Sequence, residues 1–239
     1  MTEKIFLKDS YIKSIDAVFQ KAEDTGLVFD KTIFYATGGG QPNDTGTIKW
    51  NGSDLKVIDV TKKDDDVFHR IEGNFNLSPG ANCHMEIDWN RRYSHMRYHT
   101  AIHIIDAVVH HNPENFGLIT GSQIYQDRAR VDFDFQDFTR EIAEKIIGEA
   151  NRIISEGHPV IIRELDQSEA LSIDGLARTA PGRELLKKLD VVRVIEIEGV
   201  DMQADGGTHV NNTKEVGMLK LSGIESKGRR NKRLNITLA

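Results

Sequence analysis

The chain has 239 residues, 38% of them hydrophobic and 28% charged, with five prolines, one cysteine and a formal net charge of −6. These figures exclude a disordered, fibrous or disulfide-stapled chain, and the length predicts two domains, each long enough to bury a core. The acidic balance argues against a surface that binds nucleic acid everywhere, though not against a local basic site.

In chain order, the opening MTEKIFLKDSYIKSIDAVF is charged throughout and lacks the sustained apolar segment of a secretory signal. No later stretch approaches the ~18 consecutive apolar residues of a membrane span. DAVFQKA, GLVFDKTIFYA, GTIKW, LKVIDVTKK, DVFHRIEG and CHMEIDW are short β-branched and aromatic runs separated by Gly, Asn and Asp turn signals, so residues 1–89 are expected to form a small β-barrel or sandwich. KKDDD at 62–66 is expected to be a hairpin tip. With Cys83 the one cysteine, no intramolecular disulfide can form, and a reducing cytoplasm is the expected compartment.

The pattern changes after Trp89. Met96, Ala101, Ile102, Ile105, Ala107, Val108 and Val109 follow helical spacing, with Asn90 as the expected N-cap and Pro113 as the stop. GSQIY and ARVDFDF are predicted strands. An amphipathic helix follows from Asp137 to Glu156, carrying Ile142, Ile146, Ile147, Ala150, Ile153 and Ile154 on one side and ending at Gly157. PVIIREL is a predicted strand, SEALS and RELLKKL are short helices, and VVRVIEIEG, EVGMLKLSGIES and RLNITLA close the chain as strands. Helices over a mostly antiparallel sheet make residues 90–239 an α+β domain. From 220 to 239, Lys220, Lys227, Arg229, Arg230, Lys232 and Arg233 stand against the single acid Glu225. Such segregation fits phosphate contact, and it equally fits a solvated hairpin turn.

His99 and His103, in RYHTAIH, are four positions apart and share a helical face, so their imidazoles can converge on one cation. A metalloprotease HExxH motif would carry a general-base Glu where Thr100 stands, which argues against peptidase chemistry. A second pair, Asp205 and His209 in DMQADGGTHV, brackets two glycines that break any helix and suggest a tight turn. Together the two pairs supply a four-ligand set; the alternatives are a polar helix face and a Gly-Gly turn with an incidental histidine.

The segments IDWNRRYSHMRYHTAIHII, GSQIYQDRARVDFDF and ADGGTHV together resemble the editing domain of alanyl-tRNA synthetase and its free-standing AlaX relatives. FYATGGGQPNDTG at 34–46 is similar to the glycine-rich segment of the longer, two-domain members. The resemblance implies a hydrolase that clears tRNA(Ala) mischarged with serine or glycine, using one zinc ion per chain; no membrane contact and no obligate protein partner are expected. By position, His99, His103 and His209 match three zinc ligands, and Asp205 stands where the family usually has cysteine. A carboxylate is a harder ligand than thiolate, so weaker zinc retention and a more electrophilic metal are expected, with an open position if Asp205 swings away.

The resemblance further implies Thr120 as the serine-sensing residue, acting with His103 in catalysis; Ile119 stands where many synthetase domains carry a Gln. Gly38, Gly39, Gly40, Gln41 and Asp44 are implied substrate-discriminating positions. GGGQPNDTG is not a Walker loop, since it lacks GK[ST], and its glycines are expected to permit close backbone approach. Arg229, Arg230 and Lys232 are the candidate tRNA contacts; Arg128 and Arg130 are further candidates for phosphate, with Arg128 equally a candidate partner of Asp127 or Asp132 at the surface. The alternative function is a zinc-stabilised RNA-binding module in which the Cys-to-Asp change has abolished catalysis.

Overall fold

The short apolar runs ahead of Trp89 pair as antiparallel strands, and six of them close into a barrel in the computed structural model, which describes residues 1–23, 26–112 and 117–239. The strands are β1 (Glu3–Lys4), β2 (Ser14–Glu23), β3 (Gly26–Phe29), β4 (Lys31–Thr32), β5 (Gly46–Trp50), β6 (Ser53–Lys63), β7 (Asp66–Ile71) and β8 (Asn82–Ile87). The barrel order is β2-β3-β7-β6-β5-β8, and β1 pairs with β4 in parallel. Alternation fills the interior: Leu55 and Val57 of β6, Val67 of β7, and Cys83, Met85 and Ile87 of β8 join one apolar core. A register shift between Val57 and Asp59 resets the alternation, so that Val60 and not Asp59 is buried. The β6–β7 hairpin turns at Asp64, whose φ of 51° is left-handed, as the acidic KKDDD tip predicts.

The chain forms two compact units, residues 1–95 and 96–239. Helix α1 (Trp89–His110) runs from the first into the second. It starts ahead of the expected cap Asn90, because Asp88 caps it: the Arg91 N–H donates to Asp88 Oδ1 at 3.1 Å and the Arg92 N–H to the Asp88 carbonyl. An aspartate caps as well as an asparagine and adds a negative charge at the positive end of the helix. The expected stop at Pro113 lies outside the described residues.

In the second unit, β9 (Leu118–Ile124), β10 (Ala129–Asp134), α2 (Arg140–Glu156), β11 (Val160–Asp166), α3 (Gln167–Ser172), α4 (Ala180–Leu186), β12 (Val191–Ile197), β13 (Asp201–Ala204), β14 (Leu219–Ser226) and β15 (Asn231–Leu238) follow. They build two antiparallel sheets, ordered β14-β15-β10-β9 and β11-β12-β13. Helix α2 begins at Arg140 rather than Asp137, since Thr139 is extended and its hydroxyl accepts from the Ile142 N–H, and it ends on Gly157 at φ 82°. Its six predicted apolar positions, apart from Ile142, are buried together with Ala143, and the helix packs on β14. Strand β13, Asp201–Ala204, is not among the strands expected from the sequence; it pairs with β12 just ahead of the expected Gly-Gly turn. The protein is therefore α+β, with an N-terminal barrel followed by helices and antiparallel sheets.

A candidate metal centre

Between Met96 and Val109, helix α1 is buried around most of its circumference, so each polar residue there needs a partner or a ligand. His99 and His103 are among them, their ring centroids 5.2 Å apart. The turn after β13 brings up Asp205 and His209, the latter ring 4.4 Å from that of His99 and 4.6 Å from that of His103. His99 Nε2 and His103 Nε2 lie 3.5 and 4.0 Å from Asp205 Oδ1, and His209 Nε2 lies 3.0 Å from Oδ2. One ligating atom from each of the four falls within 4.8 Å of all the others. A tetrahedral ion with bonds of about 2.0–2.1 Å sets ligand atoms about 3.3 Å apart, so the donor set fits a small divalent cation in both type and spacing.

Electrostatics favour the same reading. Burial lowers the His103 imidazole to about 4 and also lowers His99 and His209, which keeps all three rings neutral, with a lone pair to offer. Burial alone would raise Asp205, but the His99 imidazole and the contact with His209 hold it well below the usual carboxylate range. One anion among three neutral rings is a donor set that could hold a cation.

Several residues that shape this site were not singled out from the sequence. The Gly207 N–H donates to Asp205 Oδ2 at 2.5 Å, and a Cβ at Gly207 would stand 2.1 Å from His99 Cε1, so only glycine lets the turn close on the ring. Arg193 Nη1 donates to the Asp205 carbonyl at 2.7 Å, while the Asp205 N–H donates to the Arg193 carbonyl. Thr100, read from sequence only as the wrong residue for a peptidase base, has its hydroxyl 3.1 Å from His209 Nδ1. Asp106, three residues beyond His103, is bound by Arg178 Nη1 at 3.0 Å, and the same guanidinium bonds Asp201, four residues before Asp205. Burial lifts Asp106 to about 6; burial presses Asp201 the same way, but Arg178 holds it below the usual range. The available signal was Asp106, a charge one helical turn from His103 within the otherwise apolar run Ile104–Val109.

The other sequence candidates are not part of this cluster. Thr120 is exposed on β9, its hydroxyl donating to the Asp132 carbonyl at 3.2 Å. Gly39 and Gly40 have φ of 57° and 81°, and the Gly38 and Gln41 backbones bond each other across them, a two-residue hairpin turn. An added Cβ at Gly39 meets nothing within 4 Å, so its left-handed φ, and not crowding by neighbouring atoms, favours glycine there. Gln41 is buried. Asp44, expected as a substrate contact, is 0% exposed; its carboxylate takes two donors of Arg92 and the Tyr35 N–H, so it acts as a buried counter-ion. The basic hairpin is partly neutralised: Arg230 pairs with Asp134, Arg233 with Asp132 and Lys227 with Glu225, and Lys232 donates to Ser226 Oγ and the Gly228 carbonyl. Arg229 is exposed. Arg128 pairs with Asp127 over the Tyr125 ring, and Arg130 pairs with Asp132.

Comparison with known proteins bears on this arrangement. Residues 3–91 match the family of class II (A) tRNA synthetases, and residues 192–235 match the threonyl and alanyl tRNA synthetase second additional domain. The chain is 38% identical over 178 residues to the alanyl-tRNA editing protein AlaX-M of Methanosarcina acetivorans, covering 71% of this chain and 72% of that protein. It is 39% identical to the AlaX-M protein of Saccharolobus solfataricus over 75% of each chain. It is also 35% identical to the alanine–tRNA ligase of Aeropyrum pernix over 79% of this chain, but only 21% of that larger enzyme. By extent and identity, the chain belongs to the AlaX-M family of alanyl-tRNA editing proteins.

Proposed function

We propose that this protein is a zinc-dependent aminoacyl-tRNA hydrolase that removes serine, and also glycine, from mischarged tRNA(Ala) in trans. The observation that carries the proposal is the convergence of His99, His103, His209 and Asp205 in a chain of the alanyl-tRNA editing family. Held by these four residues, zinc would supply Lewis acidity toward an ester carbonyl and toward water. The residues themselves keep three neutral imidazoles aimed inward, and the buried rings shield that centre from bulk solvent. An aminoacyl ester is activated relative to an amide, so positioning and stabilisation of the developing oxyanion suffice for its hydrolysis.

Rejecting alanine while accepting serine requires recognition of one hydroxyl. We assign that role to Thr120, whose exposed hydroxyl can exchange its bond to the Asp132 carbonyl for one to a ligand. Arg229, with Arg230 and Lys232 releasing their local partners, is assigned to the tRNA phosphates, and exposed ion pairs of this kind are weak enough to exchange. The test is a deacylation assay of the metal-analysed protein on tRNA(Ala) charged with serine, glycine or alanine. Hydrolysis of the first two, lost in His103→Ala, is expected. Binding of tRNA with Ser-tRNA(Ala) left intact at full zinc occupancy would refute the hydrolase and leave an RNA-binding module.

A further inference from the structure

Thr100 sits between two candidate ligands on α1, is 0% exposed, and touches a third ligand across 109 residues of sequence. Its Oγ1 lies 3.1 Å from His209 Nδ1 and accepts the Val210 N–H at 3.3 Å. The other ring nitrogen of His209, Nε2, lies 3.0 Å from Asp205 Oδ2. An ionised carboxylate only accepts hydrogen bonds, so without a cation this contact is favourable only when Nε2 carries the ring proton. Nδ1 is then a bare acceptor, and the Thr100 hydroxyl must donate to it. A cation between His209 and Asp205 reverses the requirement. Nε2 must offer its lone pair, the neutral ring keeps its one proton on Nδ1, and Thr100 must accept.

We propose that Thr100 is the positioning residue that lets His209 exchange tautomers when the metal centre loads. The protons balance through solvent: Nε2 releases one to water, Nδ1 takes one from water, and His209 stays neutral while the Thr100 hydroxyl keeps its hydrogen. Thr100 suits the task because a hydroxyl has one hydrogen and two lone pairs. One lone pair holds the Val210 N–H in both states, which fixes the oxygen beside the ring. The hydrogen points at Nδ1 in one state and turns to the i−4 helix carbonyl in the other, a bond that helical threonines readily form. A backbone carbonyl or a carboxylate in this place could only accept, and would lock the ring in the metal-ligating form. A valine could do neither.

The inference rests on the cluster holding a divalent cation and is independent of the aminoacyl group removed. It is tested on the full chain labelled with [15N]histidine, stripped by chelator and then reloaded with zinc, with the His209 tautomer read from long-range proton–nitrogen couplings. The expected result is Nε2–H when stripped and Nδ1–H when loaded. Thr100→Val, nearly isosteric, is expected to lower zinc affinity about 10- to 100-fold in a competition titration, and Thr100→Ser to stay within about threefold of wild type. A stripped wild-type protein with Nδ1–H, or a Thr100→Val variant with wild-type zinc affinity, overturns the inference while leaving the metal centre intact. Wild-type protein that binds no zinc overturns both. Should Thr100→Val fail to fold, the wild-type tautomers and Thr100→Ser still decide. A purely structural threonine would lower the melting temperature and leave affinity and tautomer unmoved.

Discussion

A single methyl group tests how tightly the candidate centre is built. In Gly207→Ala the new Cβ would stand 2.1 Å from His99 Cε1, 2.4 Å from His99 Nδ1 and 3.0 Å from Asp205 Oδ2. Carbon atoms pack at ~3.5–4.0 Å, so ring and turn must separate by about 1.5 Å. His99 has nowhere to retreat, since it is buried with the His103 and His209 rings against it at 5.2 and 4.4 Å. If the turn moves instead, Asp205 moves with it, because the Gly207 N–H holds its Oδ2. Metal geometry tolerates displacements of only about 0.2 Å, so either response dismantles the ligand set. We expect zinc affinity to fall by about 100-fold in chelator competition, and the zinc-stripped protein to lose about 1–3 kcal/mol in urea unfolding from overpacking. A folded Gly207→Ala protein that binds zinc like wild type would refute the argument.

Four further outcomes are expected. Asp205→Cys restores the softer ligand of the family pattern and should raise zinc affinity by at least about tenfold, or 1.4 kcal/mol, in the same titration. Arg92→Met should destabilise the barrel unit by about 3–5 kcal/mol in urea unfolding, because Asp44 is left charged and buried, and adding Asp44→Asn should recover part of the loss. Buried His69, bonded to Thr32 Oγ1 and the Leu27 carbonyl, is lowered by burial to about 4 from 6.5, so the unfolded chain binds its proton first on acidification. Stability is then complete above pH 6.5 and declines by about 3 kcal/mol toward pH 4, and His69→Gln should flatten that slope in pH-resolved unfolding followed by tryptophan fluorescence. Stripping zinc should leave circular dichroism unchanged, while zinc at 100 times its Kd should add about 2.7 kcal/mol of stability.

The fold was legible wherever local pattern and tertiary demand agree. The barrel strands alternate and are punctuated by turn residues, and α2 shows its apolar stripe plainly because one face meets solvent. Helix α1 was harder to read, since burial around its circumference erases the periodic signal, and its start shifted because Asp88 outcompetes Asn90 as cap. Strand β13 escaped notice because Asp201–Ala204 is four residues long and exists through pairing with β12. At the site, the two i, i+4 pairs were legible as ligand types, but residues that act through other residues were not. Nothing in the spelling of Thr100 or Arg178 announces a partner more than seventy residues away. Asp44 misled for the complementary reason: an aspartate in a glycine-rich loop looks available until Arg92 is found over it.

These hidden residues explain how the ligands come to face one another. Asp106 carries one end of the Arg178 bridge on the helix of His103, and Asp201 carries the other on the strand that leads into Asp205. The bridge therefore sets the helix against the strand, one turn or one short strand from the ligands on each. Arg193 grips the Asp205 backbone from the neighbouring strand, and Thr100 grips the His209 backbone neighbour and ring from the helix. Each ligand-bearing element is thus held by bonds that do not involve a cation. A cation bound by the four residues, as proposed, would meet geometry already set, so its binding free energy would go to affinity and not to folding, unlike small zinc domains that collapse around their metal. Under the proposed metal reading, such a scaffold would let a carboxylate stand in for a thiolate without loss of the fold: the harder ligand would cost affinity at the ion, while the bonds holding the three imidazoles would be unaffected.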